Sequence, residues 1–380
     1  MGEAVPVYEG AVDKGLEGVV SCTTAISFIV GATLNYRGYT IEDLAANSTF
    51  EETVFLLWND RLPKKEELES LKKQLATEMT LDPQLIASLK TIPNKGVHPM
   101  AWLRSAVSIQ GQFDKEAQDS SNEANMRKAI RLTAKMTTLV TTFERLRNGK
   151  EILAPNPSKN IAWNFFYTMT GNEPDPEIVK TFDVCLILHA DHELNNSAFA
   201  ARVTASSLSD VYSAVVSAIC SLKGPLHGGA NEQVMLMLKD IGSMEKARKW
   251  VEDALANKVK VMGFGHRVYK NGAPRAKSLR QMSDQLTKKL GQHHWFEMSD
   301  LIDETMQSKK GLLPNVDFYS ATVYYAMGIP IDLYTPIFAA SRVSGWLAHV
   351  FEQWTNNRIY RPRGKWAGKE GLHWAAVDKR

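Results

Sequence analysis

Cysteine is scarce in this sequence. Its 380 residues hold three, Cys22, Cys185 and Cys220, widely separated, odd in number and in no CxxC or other metal-ligand spacing. That pattern excludes a disulfide framework and leads to the expectation of a reducing compartment. Excess charge is nearly absent too: 45 Lys and Arg against 42 Asp and Glu give a formal +3 at pH 7. Such a balance argues against nucleic acid as a partner, while leaving room for a local basic patch that meets a phosphorylated ligand. No stretch approaches about 18 uninterrupted apolar residues, so no membrane span is expected. The opening MGEAVPVYEGAVDKG carries acids and no apolar core, unlike a secretion signal or an Arg-rich transit peptide. Pro6 stands where a myristoylation motif needs Ser or Thr. The expectation is a cytoplasmic protein.

What is present is an ordinary globular composition, 44% hydrophobic and 23% charged, long enough for one large domain or two unequal ones. Strand signals are confined to the first fifty residues, where Val19–Thr24 and Leu34–Gly38 carry β-branched, aromatic and glycine residues. Helix signals follow. Ser48-Thr49-Phe50-Glu51 fits a capping box, and Pro63 and Asp82-Pro83 mark further helix starts. Helical patterns run through 100–112 and 126–147, and Glu173-Pro174-Asp175-Pro176 begins a helix that carries Phe182–His189. The next helix, 209–222, is apolar or small nearly all round, as suits a core or a tight subunit interface. More polar, charged helices come at 244–257 and 276–290. A long final helix then runs from Thr335-Pro336 to about Trp354, ahead of a basic segment at 357–369. The expected fold is mainly α, with short strands near the N-terminus. The shift in composition predicts a smaller helical domain inserted at 223–324, between the first part of a large domain (1–222) and its return with a C-terminal arm (325–380).

Five groups could carry chemistry. In SLKGPLHGGAN (221–231), Lys223-Gly224-Pro225 breaks a helix and His227 sits among glycines just before the next. A helix N-terminus disfavours the imidazolium, so a neutral His227 could donate to a developing oxyanion; the plain alternative is a cap. His189 and His192 in LHADHE share a helix face, which allows a metal pair or a hydrogen-bonded polar cluster, with no third ligand at a recognisable spacing. VMGFGHR starts like a dinucleotide loop but has Val268 where glycine is required. It leaves His266 with Arg267, Lys270 and Arg275, a set suited to a carbonyl compound bearing carboxylates, or to a solvated basic turn. Asp317, in LPNVDFYS, either caps the following helix or acts as a general base strengthened by desolvation. Arg342 interrupts an apolar helix, where it must snorkel or meet an anion.

Taken together, the order HADHE, GPLHGGAN, GFGHRVYK-x-x-x-PR, PNVDFYS, SR and RPR, with the N-terminal GLEGVVSCTTAIS and LNYRGYTIEDLA, resembles the citrate synthase family in its shorter bacterial or archaeal form, over essentially the whole chain. The resemblance implies a mainly α fold, a large domain and a small one that closes on the substrates, in a homodimer or a larger assembly of dimers. It implies condensation of acetyl-CoA with oxaloacetate and hydrolysis of citryl-CoA, with no metal or redox cofactor. Asp317 would take a methyl proton, His227 would hold the thioester oxygen and His266 would polarise the ketone. His192, Arg275 and Arg342 match the oxaloacetate ligands, Phe338 packs against substrate, and Arg361 reaches in from the partner subunit. Lys270, Lys310 and Arg363 are candidates for a rim that meets CoA phosphates. Regulation by NADH is not expected of the short form. Three readings stand beside this one: the first is a 2-methylcitrate synthase using propionyl-CoA with the same residues, and the second a metal-dependent hydrolase built on His189 and His192. A catalytically silent helical oligomer is the third.

Overall fold

The computed structural model describes residues 10–31, 33–265 and 274–380. Its strands form one antiparallel sheet of three, β1 (Ser27–Val30), β2 (Thr33–Tyr36) and β3 (Tyr39–Thr40), in the order β1-β2-β3 with Ser27 opposite Tyr36 and Tyr36 opposite Tyr39. The strand expected at Val19–Thr24 is absent, and β1 begins further along. A strand needs a hydrogen-bonded neighbour in register: Ser27–Val30 finds one in β2, while Val20 lies out on the surface. The expected second strand is right as far as Tyr36, where left-handed Arg37 and Gly38 turn the chain into β3.

The rest is helical: α1 (Ile41–Asn47), α2 (Phe50–Asn59), α3 (Lys65–Glu78), α4 (Pro83–Thr91), α5 (Pro99–Phe113), α6 (Asn122–Arg147), α7 (Ile161–Thr170) and α8 (Pro176–His189). Then come α9 (Asn196–Ser206), α10 (Val211–Leu222), α11 (Ala230–Ile241), α12 (Met244–Ala256), α13 (Pro274–Lys289), α14 (His294–Lys310), α15 (Val316–Ala326) and α16 (Tyr334–Thr355). The fold is therefore mainly α with a few short strands near its N-terminus. Several starts are set by side chains that accept the first free amides: Asp82 from Gln84 N at 2.7 Å, Asp175 from Glu177 N at 2.8 Å and Asp210 from Ser213 N at 3.0 Å. The capping box near residue 48 is displaced by one. Thr49 is the cap and accepts from Glu52 N at 3.3 Å, while Ser48 Oγ donates to the Glu52 carboxylate at 2.9 Å. Glu51, expected to complete the box, turns inward instead and accepts from Ile161 N at 3.1 Å.

The helix that organises the core is α16, buried from Tyr334 to Val350 and packed against α6, α9, α8, α2 and α10. Because α8, α9 and α10 all lean on it, the turns that follow α8 and α10 are delivered to one side of it. α10 is less enclosed than its composition suggests. Val211, Ala214, Val215, Ala218 and Leu222 are buried, but Ser213, Val216, Ser217 and Cys220 form a more open stripe at helical spacing. Farther along, α13 and α11 pack on α15, and α12 packs on α14. No helix among the described residues is long and apolar enough to cross a membrane.

Candidate active site

Six separate segments meet around one cleft of about 810 Å³. The turn after α8 brings His192, the turn before α11 brings His227, and residues 262–265 form a wall. α13 contributes Arg275, the start of α15 contributes Asn315 and Asp317, and α16 contributes Phe338 and Arg342. The structure thus gathers His192, His227, Arg275, Asp317, Phe338 and Arg342, which lie up to 150 residues apart in sequence. Other candidates are not gathered. Lys310 ends α14, exposed, where a cation meets the helix's free carbonyls, and Arg361 and Arg363 lie exposed in the C-terminal segment. None of the three lines the cleft. His266 and Lys270 lie outside the described residues. One lining cation was missed by sequence reasoning, Lys260; the available signal was a lysine directly before the glycine-containing loop.

His227 is held by a helix terminus, though not the one its sequence neighbours suggest. Its Nε2 accepts from the backbone N–H of Ser197, in the first turn of α9, at 3.2 Å, and lies 2.8 Å from Ser197 Oγ. An amide can only donate, so Nε2 presents its lone pair there and the neutral ring carries its proton on Nδ1. Burial, with the Arg342 cation adding to it, pushes the imidazole down to about 4, so the ring is neutral at pH 7 and Nδ1–H is its donor. Ser197 Oγ is itself fixed by Trp346 Nε1–H at 3.0 Å and by Asn195 Oδ1 at 2.8 Å. Neither Ser197 nor Trp346 carries a sequence signal for this task. Gly228 makes the turn possible: a Cβ there would lie 2.5 Å from the Leu222 carbonyl oxygen.

Asp317 is not a cap. Asn315 takes that position, its side chain accepting from Asp317 N at 3.0 Å, and its Nδ2 donates to Gly265 O at 3.2 Å. This frees the Asp317 carboxyl, which is 9% exposed and has Oδ1 without a hydrogen-bond partner. Burial pushes its pKa up to about 6, with Arg275 and Arg342 pulling the other way. The result is an aspartate far more basic than usual, facing the cleft beside a neutral imidazole.

The two arginines are buried cations, Arg275 at 2% and Arg342 at 1% exposure. Arg275 donates to Leu188 O at 3.2 Å with Nε left unpartnered, and Arg342 donates from Nε to His189 O at 2.6 Å while lying 4.7 Å over the Phe338 ring. Burial lowers the Arg342 pKa to about 10, which leaves it charged at neutral pH. Carbonyls orient both groups, and neither pairs with a carboxylate among the described residues. Two buried charges so arranged are suited to an anion with paired carboxylates. His189, which its spacing from His192 allows as half of a metal pair or as part of a polar cluster, donates from Nδ1 to Cys185 O at 2.7 Å, and burial pushes it down to about 3. No set of three or more His, Cys, Asp or Glu able to hold a metal exists among the described residues. A carboxylate base, a neutral imidazole donor and a dicationic cradle in one cleft can deprotonate a carbon acid, stabilise the enolate and hold a dianionic partner.

Comparison with known proteins gives consistent relatives. The family model "Citrate synthase, C-terminal domain" matches residues 15–363. Citrate synthase 2 of Bacillus subtilis is 52% identical over 367 residues, covering 97% of this chain and 99% of that protein. The 2-methylcitrate synthase 1 of Corynebacterium glutamicum is 40% identical over 381 residues, covering 98% and 99%. Among solved structures, the ternary complex of carboxymethyl coenzyme A and oxaloacetate with the citrate synthase of Thermoplasma acidophilum superposes with a TM-score of 0.92 at 30% identity, covering 97% of this chain and all of that one.

Proposed function

The chain belongs to the citrate synthase family, and from that premise we propose that its cleft condenses acetyl-CoA with oxaloacetate and hydrolyses the citryl-CoA so formed. The observation that carries this reading is the buried carboxylate of Asp317, its Oδ1 without a hydrogen-bond partner, in the same cleft as the neutral His227 and the two buried arginines. Asp317 takes a proton from the acetyl methyl group while His227 donates from Nδ1 to the thioester oxygen, so that the enolate forms with its charge already met. Arg275, Arg342 and His192 hold the oxaloacetate carboxylates and Phe338 packs beside them. The enol carbon then attacks the ketone carbon, whose oxygen His266 polarises. Water cleaves the resulting thioester to citrate and free CoA. No cofactor enters these steps. Residues 223–324 act as the smaller unit that closes on the substrates, and Lys260 joins Lys270 as a cation for CoA phosphates. The working form is a cytoplasmic homodimer, or an assembly of dimers, in which Arg361 serves the partner's cleft.

The test is release of CoA thiol from acetyl-CoA with and without oxaloacetate, repeated with propionyl-CoA and with a chelator. Oxaloacetate-dependent release that survives the chelator is expected, with kcat lowered about 10²-fold or more in Asp317→Asn and in His227→Ala. Preference for propionyl-CoA would move the assignment to 2-methylcitrate, since one methylene is worth only about 1–3 kcal/mol in an apolar pocket. Loss of activity with the chelator would restore the metal-dependent reading. No release from either thioester would overturn the enzyme assignment.

A further inference from the structure

Behind the cleft runs a buried polar chain that the steps above do not use. His349 is fully buried on α16, and its Nε2 lies 3.3 Å from Asp191 Oδ2, itself fully buried. On the other side of the ring, Arg202 Nε donates to His349 Nδ1 at 3.1 Å. Arginine can only donate, so Nδ1 accepts, and the ring's single proton sits on Nε2, directed at the Asp191 carboxylate. Arg202, 2% exposed, is held in turn by Gln353 Oε1 at 3.3 Å and by the Glu352 carboxylate.

Asp191 sits directly before His192 in the turn after α8. Ser27 Oγ donates to Asp191 Oδ2 and accepts from Glu193 N at 2.7 Å. Tyr36 Oη accepts from Asp191 N at 3.0 Å and donates to Asp191 O at 2.8 Å. Glu193 takes a left-handed φ of 50°, a conformation that a non-glycine residue keeps only where neighbours enforce it. His192 is thus clamped between two pinned residues. Arg342, Gly345 and His349 follow at i, i+3 and i+7 on α16 and share a face against this turn. Arg342 donates to His189 O, Gly345 admits the backbone of Ala190, and His349 takes the carboxylate. Burial alone would raise the Asp191 carboxyl, yet His349, Arg342 and Ser27 together hold it below its ordinary value, as an anion.

We propose that His349, backed by Arg202, is a positioning residue that fixes Asp191 and through it sets His192 and Arg342 at the oxaloacetate end of the cleft. The inference rests on the functional reading given above. It separates the two substrates. Asp317 and His227 are mounted on α15 and on the turn before α11, and His227 reaches α9 and α16 through Ser197 and Trp346, not through Asp191 or His349, so the acetyl-CoA end should keep more of its geometry than the oxaloacetate end when the clamp loosens.

The experiment is steady-state kinetics with each substrate varied in turn, on the wild type, His349→Leu, His349→Gln and Ser27→Ala. His349→Leu is expected to raise the KM for oxaloacetate about tenfold or more, with the KM for acetyl-CoA changed less than about twofold. His349→Gln, whose amide can donate to Asp191 and accept from Arg202, should recover most of that loss. Ser27→Ala should move the same KM in the same direction, and it decides the matter if His349→Leu does not fold. Unchanged oxaloacetate KM in the folded variants, or both KM values rising together, overturns the proposal. A wild type that does not turn over oxaloacetate overturns the functional reading and this inference with it, an outcome distinct from a variant that merely behaves like an active wild type.

Discussion

At the scale of single residues, burial shifts two ionisations in opposite directions to useful effect. Asp317 rises from 3.8 to about 6 and His227 falls from 6.5 to about 4. Asp317 must be ionised to act as a base, so kcat/KM for acetyl-CoA should fall tenfold per pH unit below an inflection at about 6 or above. His227 stays neutral through that range and adds no inflection of its own. A profile from pH 5 to pH 8 checks this, and a profile already flat from pH 5 would remove Asp317 from the role. The sequence brought both residues into view but could not finish the argument. Whether Asp317 capped α15 or stood free turned on two positions at a helix start, and Asn315 took the cap. Its sequence neighbours place His227 near the start of α11, whereas the amide that fixes its tautomer comes from Ser197, 30 positions away, a contact that only the folded chain creates.

At the scale of the element, α16 owes its closeness to the turn after α8 to one missing side chain. A Cβ on Gly345 would stand 2.3 Å from Ala190 O and 2.6 Å from Asp191 Oδ1. The obstructing atoms belong to a backbone pinned by Tyr36 and a carboxylate pinned by Ser27, so they cannot swing aside cheaply. Gly345→Ala should destabilise the protein by about 1–3 kcal/mol despite the better helix propensity of alanine. Denaturant unfolding measures it, and a change under about 0.5 kcal/mol would mean that the turn yields. Helix starts were the most legible elements, because Asp82 and Asp175 act through amides two residues away. The strands were the least legible. Nothing local in Val19–Thr24 says that β2 will pair with Ser27–Val30 instead, since pairing is decided by a partner and not by propensity.

At the scale of the whole molecule, the mainly helical class could be read from punctuation and periodicity. The assembly of the cleft could not, because it joins turns, helix starts and the body of α16 from residue 192 to residue 342. Only the order of the motifs, through a family resemblance, tied them together beforehand. The assembled cleft also has a property that none of its parts holds alone. Arg275 and Arg342 hold the Asp317 carboxyl lower than burial would leave it. A dicarboxylate that neutralises these two guanidiniums removes that restraint, and the affinity of Asp317 for a proton rises further. Filling the anion cradle at pH 6.5 should therefore draw protons from the medium. The heat of binding would then vary with the ionisation enthalpy of the buffer, and calorimetry of oxaloacetate in two buffers would read the difference; equal heats would refute it. By the same linkage the dicarboxylate makes Asp317 a stronger base toward the thioester's methyl group while shrinking its ionised fraction near pH 6.5, so the charge of the empty site sets both the strength and the working pH of the base.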